Sequence, residues 1–290
     1  MQKDVKNHNY ELLNIATRDV ISVSPTTSII GAVELMTKKG FRRLPVTDPG
    51  TNKIIGIVTA GDIINFMGGG EKFNLVSGKH KGNIIAALND SVREIMSTKL
   101  LTLKESAKVI DVAATIVNKK CGGIPIVDDE GILRGIVTER DILKVFCETP
   151  NYLSVSDIMT KSPHVTSPDA TICGVTREMI KKKFRRLPVV SDDVLFGIVT
   201  AMDIMKYVGN GDVFKEMVTG DVSDVMSVPI RKLINGDLYT TSPDESISRV
   251  AQEMIGKGVG ALPVIENSHL IGVITEFDLV KALSIEKNQG

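Results

Sequence analysis

Tryptophan is absent from this 290-residue chain, and aromatic residues together make up only 4% of it. Single-stranded nucleic acid is held on stacked rings, so a binder of that kind is not expected. Net charge is absent as well, with 35 basic residues balancing 35 acidic ones. A neutral chain has no overall field to hold nucleic acid or an anionic membrane, although a local basic cluster can still take a small anion. Cysteine is scarce and odd in number. Cys121, Cys147 and Cys173 form no Cys-x-x-Cys spacing, which argues against a disulfide framework or a zinc site and fits a reducing cytoplasm. No apolar run approaches membrane-spanning length, and the start MQKDVKNHNYELLN lacks the apolar stretch of a secretory signal. The expectation is a soluble, cytoplasmic protein with no membrane partner.

Catalytic signatures are missing too. There is no G-x-S-x-G, no Walker loop and no H-E-x-x-H. His8, His80, His164 and His269 are scattered without metal-ligand spacing, so no metal is predicted.

What the sequence does have is a repeat. GIVTAGD (56–62), GIVTERD (135–141), GIVTAMD (197–203) and GVITEFD (272–278) recur downstream of RLPV, GIPI, RLPV and ALPV. Earlier anchors at Pro25, Glu105, Pro168 and Pro243 each precede the proline of that second string by 20 residues. From that proline to the aspartate the step is 17, 16, 15 and 15 residues, and the variation falls in a turn. Each copy predicts strand, helix, strand, turn, strand, helix. In copy one Ile29, Ala32, Val33 and Met36 fall on one helical face, with Lys38, Lys39 and Gly40 suiting its end. Copy three repeats this with Ile172, Val175 and Met179.

Copies one and three share FRRLPV and similar connectors, GGGEKF (68–73) and GNGDVF (209–214), while copies two and four share T-E-x-D. A pair was duplicated. The boundaries expected are repeats at 12–68, 92–147, 155–208 and 222–285, with linkers at 69–91 and 209–221, and modules of one with two and three with four. A copy of this size cannot bury its own sheet face, so pairing is physically required. The glycines at 68–70 read as a helix stop and linker.

Two motifs could carry chemistry. Thr59 with Asp62, Thr138 with Asp141, Thr200 with Asp203 and Thr275 with Asp278 each form T-x-x-D, which is also a capping box. Arg42, Arg43, Arg185 and Arg186 precede the LPV strands of copies one and three. Guanidinium forks suit phosphate, yet the same residues could be a solvated face beyond a Lys-rich helix end.

An LPV strand, a turn, and G-[IV]-[VI]-T-x-x-D opening a helix together resemble the CBS domain, over roughly residues 12 to 285. Four copies as two pairs resemble the γ regulatory subunit of AMP-activated protein kinase and its stand-alone archaeal relatives. The resemblance implies an α/β fold of β-α-β-β-α repeats in two Bateman modules forming a flat disk. It implies adenine-nucleotide binding (AMP, ADP or ATP), with the four aspartates on the ribose hydroxyls and the threonines beside them. It puts the four arginines above, and Arg140, on phosphate. For adenine it implies Leu100 and Leu101 with Asp62, Val20 and Ile21 with Asp141, Leu238 and Tyr239 with Asp203, and Pro163 and His164 with Asp278. These could equally be plain core residues. The repeats leave no room for a catalytic domain, so the expected protein is no enzyme. It is a regulator that signals to a protein partner (a kinase, enzyme or transporter), as a monomeric disk or a homodimer. The alternatives are a binder of S-adenosylmethionine or another adenosyl ligand, whose sulfonium the arginines would disfavour, and a ligand-free structural or nucleic-acid-binding scaffold.

Overall fold

A computed structural model describes residues 12–146, 152–217, 219–234 and 237–285; His8 and Cys147 lie outside them. Each copy folds around an antiparallel hairpin. The paired strands are Arg43–Thr47 with Ile54–Thr59, Gly123–Val127 with Leu133–Thr138, Arg186–Ser191 with Val194–Thr200, and Ala261–Glu266 with His269–Thr275. The first strand of each copy is shorter than its sequence suggests. It is reduced to Leu103–Lys104 in repeat 2 and to single parallel bridges, Val23 to Val46, Thr166 to Val189 and Thr241 to Val264, in the others. The LPV strand accepts this one contact and the chain then turns into the first helix.

That helix forms as the apolar spacing requires. In repeat 1 it spans Ile29–Lys39, is capped by the Ser28 side chain, and stops at Gly40, whose φ of 69° is left-handed. Ile29, Ala32, Val33 and Met36 are all fully buried. Ile172, Val175 and Met179 do the same on Ile172–Lys182 in repeat 3.

The chain forms two compact units. One gathers residues 21–100 and 164–238, and so holds repeats 1 and 3; the other gathers the chain up to 20, 101–163 and the part from 239 on, and so holds repeats 2 and 4. Each has its own apolar core, one built around Phe66, Met67, Ile204 and Met205, the other around Ile142, Leu143, Leu279 and Val280. Within each unit a segment from elsewhere in the chain completes every hairpin. Thr17 exchanges backbone hydrogen bonds with Ile136 in repeat 2, and Ser97 does so with Ile57 in repeat 1. Thr160–Lys161 pairs with Gly272 and Val273 in repeat 4. In repeat 3 Ile234 covers Gly197, with its Cγ2 only 2.6 Å from where a Cβ on that glycine would sit. The donated segments come from repeats 1, 2, 3 and 4 and serve repeats 2, 1, 4 and 3. The glycine of G-[IV]-[VI]-T is needed because the donated segment lies against it.

In the unit of repeats 1 and 3, Gly69 sits where the end of one repeat's second helix meets the first helix of the other. A Cβ there would stand 2.5 Å from Ile180 Cγ1, 2.9 Å from the Thr176 carbonyl and 3.0 Å from that of Ile64. Two of those neighbours are backbone and cannot swing aside. Gly69→Val is therefore expected to lower stability by about 1–3 kcal/mol through overpacking, read as a fall in the thermal midpoint. An unchanged midpoint would mean that this helix junction is looser than its geometry indicates.

Candidate functional site

The four T-x-x-D motifs all stand at the junction of a strand and a helix. In each, the threonine ends the strand and its backbone N–H and hydroxyl donate to one carboxylate oxygen of the aspartate. For Thr59 and Asp62 Oδ2 the distances are 2.8 and 2.6 Å; for Thr138 and Asp141, 3.0 and 2.7 Å. For Thr200 and Asp203 they are 2.8 and 2.7 Å, and for Thr275 and Asp278, 2.9 and 2.6 Å. The aspartate N–H donates back to the threonine hydroxyl at 3.3 Å in repeats 1, 3 and 4, which completes the capping box there, and in all four repeats the threonine contacts use Oδ2. A carboxylate has a second oxygen with its own lone pairs, so capping leaves Oδ1 for other work.

What meets Oδ1 differs between repeats. Asp62 Oδ1 accepts from Lys72 Nζ and, at 3.3 Å, from Ser97 Oγ. Asp141 Oδ1 lies 3.4 Å from the exposed Lys144 ammonium. Among the described residues none donates a hydrogen bond to Asp203 Oδ1. Burial pushes the Asp203 carboxyl above its ordinary value, against the opposing pull of the Thr200 hydroxyl, the Thr200 N–H and the Lys206 charge. A half-buried carboxylate with a raised pKa and one open oxygen is a group prepared for a donor ligand.

The arginines are brought to the same place by strand register. Arg43 is the cross-strand partner of Thr59, and Arg186 that of Thr200. Such partners have their side chains side by side, with Cβ atoms about 4.5–5.5 Å apart. The carbonyls of Arg42 and Arg185 accept from Ala60 N and Ala201 N at the start of the second helices, at 2.9 and 3.1 Å. In repeats 2 and 4 the matching cross-strand positions are Gly123 and Ala261. The basic residues thus adjoin two of the four T-x-x-D sites.

Arg140 has a different engagement. Its Nε donates to Glu276 Oε1 at 2.8 Å and its Nη2 to the Val259 carbonyl at 3.1 Å. Glu276 is only 2% exposed. Arg140 is thus a strut between repeats 2 and 4 of one unit, a role that the phosphate expectation did not contain. The T-E-x-D glutamates of repeats 2 and 4 are the signal that could have found it, because a carboxylate buried at a helix start needs a cation or donors.

The eight residues expected around adenine mark the four places where the chain passes from one unit to the other, at 20/21, 100/101, 163/164 and 238/239. Val20 shares a unit with Asp141, Leu100 with Asp62, Pro163 with Asp278 and Leu238 with Asp203. Their chain neighbours belong to the other unit. Ile21 packs on the core of repeats 1 and 3, and Leu101 and Tyr239 on that of repeats 2 and 4. Lys257 Nζ lies 4.8 Å over the Tyr239 ring. His164 stacks at a tilt on Phe184 and lies 3.2 Å from Glu178, both in repeat 3. Among the described residues no group of His, Cys, Asp and Glu could hold a metal ion, and no helix is long and apolar enough to cross a membrane.

Comparison with known proteins places these features. The model of the CBS domain matches residues 12–69, 92–148, 155–210 and 222–285. Protein MJ1225 of Methanocaldococcus jannaschii is 39% identical over 266 residues, covering 91% of this chain and 95% of that one. Its crystal structure, described as that of a proposed archaeal homologue of γ-AMPK, superposes with a TM-score of 0.90 over 94% of this chain and 99% of the other, at 37% identity. A 33.4 kDa protein from a ribosomal RNA operon of Thermofilum pendens is 26% identical over 264 residues, 91% of this chain and 88% of its own length. A Pyrococcus horikoshii protein shares the fold with a TM-score of 0.59 at 18% identity, covering 94% of this chain and all of its own.

Proposed function

The chain belongs to the CBS domain family, and from that premise we propose that it is a regulatory adenine-nucleotide binder that takes AMP, ADP or ATP at its T-x-x-D sites and signals to a protein partner. The observation that carries this reading is the division of labour within the motif. At Asp203 one carboxylate oxygen caps the helix and the other accepts no hydrogen bond from a described residue. Two adjacent ribose hydroxyls are donors that a spare carboxylate oxygen satisfies. Arg186, beside Thr200 in the register, supports an anionic tail on the ligand. Asp62, Asp141 and Asp278 are the proposed ribose acceptors of the other repeats, with Arg42, Arg43 and Arg185 on phosphate, and the residues at the four crossing points on adenine. The likeness to MJ1225 supports a regulatory rather than a catalytic role.

Calorimetric titration with AMP, ADP, ATP, adenosine and S-adenosylmethionine tests this. AMP is expected to bind at least tenfold tighter than adenosine, and Arg186→Ala to narrow that gap. Each charge-assisted bond to phosphate contributes about 1.5–3 kcal/mol. Added salt is expected to weaken AMP and leave adenosine nearly unchanged. Equal affinity for AMP and adenosine would remove the phosphate role of the arginines, and tighter binding of S-adenosylmethionine than of any nucleotide would replace the ligand class.

A further inference from the structure

The two T-x-x-D sites in the unit of repeats 1 and 3 differ at one position that the duplication makes comparable. In the connector GGGEKF, Lys72 occupies the register that Val213 occupies in GNGDVF. Val213 is 2% exposed and belongs to the apolar core. Lys72 instead turns its ammonium back over ten residues onto Asp62 Oδ1 and the Ile95 carbonyl. Its backbone is fixed for this: Lys72 N donates to Asn65 Oδ1 at 2.6 Å. Gly70 allows the Asn65 side chain in, since a Cβ there would stand 2.8 Å from Asn65 Nδ2. In repeat 3 the residue matching Asn65 is Lys206, which makes no hydrogen bond to Asp203.

The chemistry of the contact is informative. Asp62 Oδ2 is committed to the cap, so Oδ1 and the Ile95 carbonyl are two neighbouring acceptors. A vicinal diol would satisfy such acceptors with two O–H donors, and an ammonium satisfies them with two N–H donors. The Asp62 carboxylate is 11% exposed and the Lys72 side chain 25%, so solvent screens this ion pair far less than a surface pair.

We propose that Lys72 is an internal occupant of the repeat 1 site, holding the place of the ribose hydroxyls, so that a nucleotide enters there only by displacing it. This rests on reading Asp62 Oδ1 as a ribose acceptor. Apparent affinity falls by the fraction of molecules in which the site is open. The Asp62 site therefore fills after the Asp203 site, although both carry the T-x-x-D motif and a pair of arginines. A protein with equivalent motifs thereby gains sites of graded affinity, which respond over different ranges of nucleotide concentration.

The experiment is calorimetric titration of the full chain with AMP, alongside thermal unfolding, for wild type, Lys72→Ala, Lys72→Met and Lys72→Ala/Asp62→Asn. Lys72→Met keeps the buried stem, so it carries the comparison if the alanine variant is unstable. The single variants are expected either to gain one equivalent of AMP or to tighten the weakest site at least tenfold, about 1.4 kcal/mol. The double variant is expected to lose that gain. Unchanged stoichiometry and affinities in both folded single variants, with AMP still bound elsewhere, would overturn the internal occupant and leave nucleotide binding standing. Weaker AMP binding in the single variants would also overturn it, since Lys72 would then be a ligand contact. No AMP bound by wild type or any variant would overturn both readings together.

Discussion

Asp203→Asn is expected to abolish nucleotide binding at repeat 3 while leaving the free protein at least as stable at neutral pH. The two halves of this result come from the two oxygens. The Asn carbonyl can still accept from Thr200 N and Oγ1, which now donate to Oδ2 at 2.8 and 2.7 Å, so the helix keeps its cap. The other atom becomes an NH2 group, a donor facing donors. Two hydrogen bonds to a charged acceptor are lost, at about 1.5–3 kcal/mol each, which corresponds to roughly two to four factors of ten in affinity. The effect on stability follows from the raised pKa of Asp203, whose first cause is burial. The native state holds this proton more tightly than the unfolded chain. Stability therefore falls as pH rises from the unfolded value through the folded one, and above the folded value the full cost of the buried charge is present. Asn carries no such cost. Its thermal midpoint is expected to match or exceed the wild type at pH 7, and the advantage to vanish as pH falls to where Asp203 is protonated. Unchanged AMP stoichiometry with an intact midpoint would reduce Asp203 to a helix cap. A large fall in midpoint at pH 7 would show that the cap needs the charge.

The repeat was legible because its physics is local. A fixed step of 20 residues from anchor to proline, apolar residues at i, i+3, i+4 and i+7, and a Thr three residues before an Asp each describe one element or one junction. Ile29, Ala32, Val33 and Met36 are buried as that spacing predicts. The donated segments were less legible. That Ile234 should cover Gly197, or Met159 cover Gly272, depends on where a chain segment returns, which periodicity does not encode. A glycine recurring inside an apolar strand was the available signal, since such a glycine often marks a close approach of backbone. Lys72 was hidden for the same reason. Within GGGEKF it reads as one polar residue of a linker, and only its alignment with Val213 shows a cation where the sister repeat has a core side chain. The first strands are shorter than the apolar pattern predicts because one or two bridged residues suffice to launch each helix.

Arg140→Ala is expected to destabilise the unit of repeats 2 and 4. Arg140 binds Glu276 through Nε at 2.8 Å and Nη2 at 2.7 Å, and the Val259 carbonyl as well. Removing one member of a buried ion pair costs about 3–5 kcal/mol, because the remaining charge keeps its desolvation penalty. Arg140 is 30% exposed on its side chain while Glu276 is 3%, so the lower end of that range applies. Repeats 1 and 3 carry Ala60 and Ala201 where repeats 2 and 4 carry Glu139 and Glu276. Arg43 and Arg186 therefore have no buried glutamate at that register to serve. The double variant Arg140→Met/Glu276→Gln separates pairing from packing. It exchanges both charges for neutral groups of similar size, and buried pairs replaced together often leave stability unchanged or raised. Recovery of most of the lost thermal midpoint in that variant would establish Arg140 as a structural strut. If instead Arg140→Ala unfolds as the wild type does and its AMP affinity falls tenfold or more, the Glu276 contact is incidental. Arg140 then belongs with the phosphate-binding arginines, exchanging its glutamate for a nucleotide when one arrives.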